Sequence, residues 1–403
     1  MKKMKMKLSA LSVFLLGASP AFADQATVTQ SGTAGTASIF QTAGSDNDNS
    51  ATIMQDVNAS VETASITQVG NTQSATIYQN GQNDQATAIQ LGSGGHAVIK
   101  QYRVGGWCPP KPYYGGSTAF IFDNGQNDSS SISNYGSNST ATINQVDNGN
   151  GKTHNEQATI DQDSDKSTAI IHQGGYYYNG TPTYVGLARN DEAYIKQGSD
   201  AIGNMYAFIE QFNTKNENAK IIQSCKSNND TAIIIQSGSK DKANIRQDGY
   251  YNVSQIYQQN TDNNNADITQ DNTVSASYAM ISQMYGNLNI ATISQKNSSS
   301  NDIALISQTG NSNDATIQEY NSYGDRATIT EIGDSNTARI DQGVNCGYSS
   351  DNIATITQSG SFDVASISQD GSSNVARIDQ VGVGKIGSIA QCGSGNNSII
   401  TQH

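Results

Sequence analysis

The sequence predicts an all-β chain: a β-solenoid of stacked strand-turn-strand rungs with amyloid-like cross-β packing. Three observations predict it. A five-residue unit, Ala-x-Ile-x-Gln, recurs from residues 26–30 to residues 398–402, 30 times when substitutions are tolerated, and 15 of the 29 spacings are eleven residues. A short fixed period means one small unit stacked many times. Within the unit the kept residues stand at i, i+2 and i+4, the period of a strand, so Ala, Ile and Gln share one face. The prolines avoid the units: Pro20 precedes the first, and Pro109, Pro110, Pro112 and Pro182 fall in insertions between units. There no ladder hydrogen bond is lost to them.

The first element is a leader. Lys2, Lys3, Lys5 and Lys7 precede an apolar stretch at 8–17 and the small-residue triplet Ala21-Phe22-Ala23. That arrangement is a secretion signal, and its apolar part is too short to span a bilayer. The expected organisation is a signal peptide over 1–23 and a repeat solenoid over 24–403. No other run approaches the roughly 18 apolar residues of a membrane span. Loss of the leader removes four lysines and no acid, moving the net charge from −13 to −17. That balance argues against nucleic acid or an anionic lipid surface as a partner. Leu, Phe and Trp are scarce, a composition near that of disordered chains, but the register of Ala and Ile overrides it.

The next elements are the strands. The two variable positions of each unit change freely, as at Thr76 and Tyr78, Arg339 and Asp341, or Ser366 and Ser368. Free variation with a polar bias marks a solvated face, so the kept face is interior. Between strands, Gly is common two residues after the Gln (Gly32, Gly70, Gly81, Gly310, Gly360, Gly371, Gly382, Gly393). Asn or Asp often follows three residues later (Asn313, Asn336, Asn374, Asn396, Asp84, Asp241). Both types tolerate positive φ, which predicts tight corners there. One strand cannot bury its own Ile, but two facing strands can, so about 22 residues form a rung and the stack has about 15 rungs. At roughly 4.8 Å per rung it would be about 70 Å long. A triangular rung of about 33 residues is the other geometry the period allows.

Stacking sets like over like. The Gln amides can then bond to the Gln above and below, as in cross-β ladders. The expected ladder includes Gln30, Gln41, Gln55, Gln68, Gln79, Gln145, Gln162, Gln236, Gln270, Gln295, Gln308, Gln358, Gln369, Gln380, Gln391 and Gln402. An unpaired buried amide would cost about 1–3 kcal/mol. Four units change the Gln: Asp123, Asn134, Glu319 and Glu331. Glu319 and Glu331 fall in one rung. A buried carboxylate has a raised pKa and resists burial when ionised, so both are candidate brakes on association at neutral pH. Local slippage turning them outward is the other reading.

Four longer connections interrupt the rhythm, near 102–118, 146–157, 174–192 and 343–353. The first and third carry Trp107, Tyr113 and Tyr114, then Tyr176, Tyr177, Tyr178 and Tyr184. They either fold back on the solenoid flank or contact a partner. Cys108, Cys225, Cys346 and Cys392 all follow odd-numbered strands, which sets them on one edge. Cys346 and Cys392 would stand two rungs apart, roughly 10 Å. The 343–353 loop could close that gap to a disulfide in an oxidising compartment; free thiols are the alternative.

Catalytic signatures are missing. The chain has no nucleophile elbow, P-loop, dinucleotide fingerprint or H-E-x-x-H. His96, His154, His172 and His403 are scattered. Asp46-Asn47-Asp48 and residues 262–265 lack the Gly and distal Glu of a calcium loop. No enzyme, cofactor or metal site is expected.

Two stretches carry a family resemblance. Gln308-Thr309-Gly310-Asn311-Ser312-Asn313-Asp314-Ala315-Thr316-Ile317 and Gln369-Asp370-Gly371-Ser372-Ser373-Asn374-Val375-Ala376-Arg377-Ile378-Asp379-Gln380 resemble curlin repeats, Q-x-G-x-x-N-x-A-x-I-x-Q. The resemblance covers nearly all of 24–403. It implies a subunit of curli, secreted bacterial amyloid fibres of the biofilm matrix that adhere to surfaces and host components. The Ala-rich strands look more like the minor, nucleating curlin. The repeats are several-fold more numerous than is usual in the family. The family's Gly/Asn-rich export segment is not seen ahead of the repeats.

The expected function is therefore a structural subunit of an extracellular, cell-surface curli-like fibre (a pilus). Its partners would be itself, head to tail, together with other curli subunits, the export machinery and host or matrix surfaces. Neither end carries the polar capping repeat that soluble solenoids need. Open edges template the next molecule, and head-to-tail addition that never closes gives a fibre. The alternative is a monomeric surface adhesin binding through the aromatic insertions. An ice-binding array would need aligned Thr-x-Thr pairs, and Thr27/Thr29, Thr328/Thr330 and Thr355/Thr357 are too scattered. A β-helix lyase would need a charged cleft, which the pattern does not supply.

Overall fold

A computed structural model describes residues 11–16, 24–31, 34–42, 48–56, 61–80, 83–91, 93–102, 116–124, 126–135, 138–146, 155–163, 166–174, 176–178, 181–183, 190–198, 204–212, 214–224, 227–344 and 348–403. These residues are all-β, with no helix among them. The chain divides into two units, Met1–Asn204 and Met205–His403.

In the first unit one parallel sheet runs through Thr36–Thr42, Thr63–Val69, Gln85–Gln90, Thr118–Asn124, Thr140–Val146 and Thr168–Gly174. The facing sheet runs through Gln25–Gln30, Ser50–Gln55, Ser74–Asn80, His96–Tyr102, Ser129–Asn134, Gln157–Gln162 and Glu192–Gln197. In the second unit one sheet runs through Tyr206–Gln211, Thr231–Ser239, Val253–Asp262, Tyr278–Met284, Ile303–Thr309, Arg326–Asp334, Ile353–Ser361, Val375–Val383 and Asn397–Gln402. The other holds Asn218–Gln223, Lys242–Tyr250, Asn265–Ser275, Ile290–Lys296, Asp314–Tyr320, Thr337–Gln342, Val364–Ser372 and Ile386–Ser394. Successive repeat strands alternate between sheets, and each pairs with the next but one. That is the two-strand rung, and it rules out the triangular one. The two units hold 13 and 17 repeat strands.

The register stacks like on like: Ala279 lies between Ser254 and Ala304, and Ile281 between Ile256 and Ile306. The kept face is the interior, with Ile256, Ile281 and Ile329 wholly buried and most Ala positions at 1% exposure or less. Burial of each Ile is worth about 1.5–3 kcal/mol. The core is thin, so identical residues must repeat to fill it.

Three findings correct or extend the sequence expectations. Pro182 does lie in a strand: Thr181–Thr183 pairs antiparallel with Tyr176–Tyr178 in a small hairpin outside the two sheets. A ribbon edge tolerates the missing N–H. Residues 11–16, read as the leader's apolar stretch, lie parallel to Thr36–Thr42, with Leu15 beside Gln41. At the corners, Asn313, Asn336, Asn374 and Asp241 do not take positive φ; the residue before each does, namely Ser312, Ser335, Ser373 and Lys240. Their side chains have a different task, described below.

Candidate functional site

The site is the hydrogen-bonded interior of the stack. Gln side chains on one sheet bond to those directly above and below. In the second unit Gln236 Nε2 donates to Gln258 Oε1 (2.9 Å), Gln258 to Gln283 (2.8 Å) and Gln283 to Gln308 (2.8 Å). On the facing sheet Gln247 donates to Gln270 (3.1 Å) and Gln270 to Gln295 (2.7 Å). In the first unit Gln30 donates to Gln55, Gln55 to Gln79, Gln41 to Gln68, Gln145 to Gln173 and Gln162 to Gln197. Near the C-terminus Gln358 donates to Gln380, Gln369 to Gln391 and Gln380 to Gln402. Gln90, Gln101, Gln211, Gln223 and Gln342 extend the columns.

Every one of these bonds runs the same way, from Nε2 of one Gln to Oε1 of the Gln that follows in the chain. A second bond holds the amides in that orientation. Nε2 also donates to a strand carbonyl of the facing sheet, as Gln55 does to Thr36 O (3.2 Å) and Gln358 to Thr337 O (3.1 Å). Both amide hydrogens are then used, and only Oε1 is left to face the preceding rung.

A second ladder, at the corners, was not foreseen. Asn313 Oδ1 accepts the backbone N–H of Asn336 (3.1 Å), while its Nδ2 donates to Gly333 O (2.8 Å). Asn289, Asn336, Asn352 and Asn374 repeat both bonds. Asp230, Asp302 and Asp325 accept the N–H but cannot donate. The glycine column belongs to this ladder: a Cβ on Gly310 would lie 2.0 Å from Gly333 O, and one on Gly333 would lie 1.8 Å from Gly360 O. The sequence signal was the Asn two residues before the Ala, which positive φ had seemed to explain.

The changed Gln positions behave differently in the two units. Asp123 stands beside Gln90 and Gln145 and has no N–H to offer the latter. Ser130, in place of an Ala on the facing strand, donates its hydroxyl to Gln145 Oε1 instead. Asn134 stands between Gln101 and Gln162. Glu319 and Glu331 are fully buried, so they do not slip outward. Gln295 Nε2 donates to Glu319 Oε2 (2.7 Å) and Gln308 Nε2 to Glu331 Oε2 (2.8 Å). Burial raises both carboxyls, Glu331 to about 8 and Glu319 well above its ordinary range, with Asp302 and Asp325 adding to the rise at Glu319. Burial also raises Asp302 to about 6 and Asp325 to about 7.

Strand edges are open among the described residues: Asn397–Gln402 pairs only with Val375–Val383, Ile386–Ser394 only with Val364–Ser372, and Gln25–Gln30 only with Ser50–Gln55. The core-facing residues of Asn397–Gln402 and Gln25–Gln30, fully buried elsewhere, are half-exposed. Cys392 is exposed on Ile386–Ser394, whereas Cys346, Cys108 and Cys225 lie outside the described residues, as do Trp107, Tyr113, Tyr114 and Tyr184. Among the described residues no group of His, Cys, Asp and Glu is arranged to hold a metal ion, and no helix is long and apolar enough to cross a membrane.

Residues 350–382 match the family model of the curlin associated repeat, a stretch that takes in Ile353–Ser361 and Val364–Ser372 and reaches into Val375–Val383. The chain therefore carries a curlin repeat on a β-solenoid, a combination that fits a structural, adhesive protein. No curated protein matches the chain.

Proposed function

We propose that this chain is the structural subunit of an extracellular, curli-like amyloid fibre that grows head to tail through its open strand edges and serves adhesion and the biofilm matrix. The observation that carries the reading is the single direction of the amide ladder. It leaves Gln402 with an Nε2 hydrogen facing outward at one end, where Ser398 Oγ takes the second hydrogen of Gln391, and Gln30 and Gln41 with Oε1 facing outward at the other. Donor end then meets acceptor end. Ile386–Ser394 of one copy extends onto Gln25–Gln30 of the next, and Asn397–Gln402 onto Thr36–Thr42. Strand alternation continues across the joint without a break, and like ends repel by facing donor to donor.

The leader enters the same reading. Residues 11–16 occupy the edge of Thr36–Thr42 that the joint needs, and Leu15 stands where a Gln would serve Gln41, whose Oε1 has no partner. Removal of residues 1–23 on secretion frees that edge. Export machinery, other curli subunits and host or matrix surfaces are the partners this role requires.

The test is to dilute residues 24–403 from denaturant at micromolar concentration, follow thioflavin-T fluorescence and take fibre diffraction. A lag, a sigmoidal rise and a meridional reflection at about 4.7–4.8 Å are expected. A β-rich monomer that never rises, even when seeded, would leave the surface adhesin as the better reading.

A further inference from the structure

Glu319 and Glu331 interrupt a one-way chain of donors. Gln342 follows Glu319 in its column, and Gln358 follows Glu331. Gln342 Nε2 is committed to Arg326 O and Gln369 Oε1, and Gln358 Nε2 to Thr337 O and Gln380 Oε1. Each therefore turns Oε1 toward a glutamate whose Oε2 is already bonded from the other side. The four atoms left over are Glu319 Oε1, Gln342 Oε1, Glu331 Oε1 and Gln358 Oε1, and all four are buried without a partner. Acceptor faces acceptor twice, in a core that admits no solvent.

The break at Asp123 shows how such a conflict is resolved elsewhere: the Ser130 hydroxyl supplies the missing hydrogen to Gln145. The Ser254 hydroxyl reaches Gln270 Oε1 in the same way (2.7 Å), there beside the bond from Gln247. The corresponding positions beside Gln342 and Gln358 are Ala327 and Ala338, which have nothing to donate. The charged groups facing Glu319 are Asp302 and Asp325, and the one facing Glu331 is Asp314. All are acidic, and the ion pairs Arg339–Asp341 and Arg377–Asp379 involve partly exposed side chains. The one remaining source of a hydrogen is the carboxyl itself.

We infer that Glu319 and Glu331 are held as neutral carboxylic acids, each donating its proton to the Oε1 of Gln342 and Gln358 respectively, so that folding of Met205–His403 takes up protons from neutral solution. Only the neutral acid carries both an acceptor for the Gln before it and a donor for the Gln after it. In this form the glutamate imitates the Gln it replaces. The raised pKa of Glu331, about 8, agrees with the geometry. The brake on folding and association then works as a linkage. The unfolded chain ionises near pH 4.5 and the folded one near 8 at Glu331. Across that window folding weakens tenfold per pH unit for this group, and the loss is complete above it.

Infrared difference spectra of the full chain, with Glu319→Gln, Glu331→Gln and the double variant, test this. Gln restores the repeat, so the variants fold. The wild type is expected to show neutral-acid carbonyl stretches at pH 7, part of them from Asp302 and Asp325; each single variant should remove one glutamate's share and the double variant both, with the Glu331 band titrating near pH 8. Proton uptake on refolding at pH 7 should exceed that of the double variant by about two protons. A neutral-acid band at pH 7 that is unchanged in the double variant, or equal uptake by wild type and double variant, would overturn the inference. Both readings are taken on folded chain, monomeric or assembled, so they stand apart from the fibre assay.

Discussion

The two units solve one problem with different chemistry. Each must carry an amide ladder past positions where Gln has been replaced. In the first unit the replacements are Asp123 and Asn134; Asp123 is too short to hold its column, and a neighbouring Ala has become Ser130, whose hydroxyl serves Gln145. In the second unit the replacements are Glu319 and Glu331, long enough to hold the column, and the neighbouring positions remain Ala327 and Ala338. The corners differ as well. In the second unit Asn289, Asn313, Asn336, Asn352 and Asn374 both accept from and donate to the next rung. The first makes both bonds at Asn49 but has Glu62, Gln73, Asp84, Ser117 and Ser139 at later corners. Its repeat strands stop at six or seven residues, whereas Arg326–Asp334, Ile353–Ser361, Val364–Ser372 and Val375–Val383 each run to nine. The comparison teaches that a stack of identical rungs is continuous only while every hydrogen-bond donor meets an acceptor. A fault is tolerated where a nearby group completes the pairing.

The largest expected break comes at the second unit's corners. Gly333→Ala places a Cβ 1.8 Å from the Gly360 carbonyl, which already accepts from Asn336. Backbone cannot yield there, and the φ of 123° is strained for alanine. A loss of about 3 kcal/mol is expected, read as faster local hydrogen exchange over residues 326–361; unchanged protection would show that the corner adapts. Next is Ser130→Ala in the first unit. It strips Gln145 Oε1 of its donor and should cost about 2 kcal/mol. Denaturant midpoints decide this, and a neutral result would mean that Asp123 completes the column by itself.

Acid and alkali should sharpen the comparison, because the units carry opposite proton linkages. Burial lowers His172, in the first unit, to about 4. A depressed histidine contributes stability that is present above its unfolded pKa of 6.5 and is lost as pH falls toward 4. The expected loss is about 1.4 kcal/mol per pH unit across that window. The glutamates of the second unit act the other way, losing stability as pH rises from 4.5 toward 8. Exchange rates across pH 4–9 should show the first unit loosening in acid and His172→Asn abolishing that change. The smallest effect is expected from Asn313→Ser, which keeps a short acceptor but loses the donor to Gly333 O. It should cost about 1 kcal/mol, visible as a slightly lowered denaturant midpoint and absent if water replaces the amide.

Much of this was legible in the chain. The i, i+2, i+4 spacing of Ala, Ile and Gln determined strands, their interior face and the Gln columns, because a strand's side chains alternate with a fixed period. The eleven-residue spacing determined that rungs repeat. What only the tertiary structure decided depends on neighbours some 22 residues away in sequence. Spacing alone did not choose between a two-strand and a triangular rung, since either buries the same Ile. Nor did it show that Asn313 faces inward while Ser312 takes the positive φ, because Asn suits both tasks. The direction of the amide ladder arises from a second bond to the facing sheet, as between Gln358 and Thr337 O. A glutamate can therefore stand in that ladder only by keeping its proton.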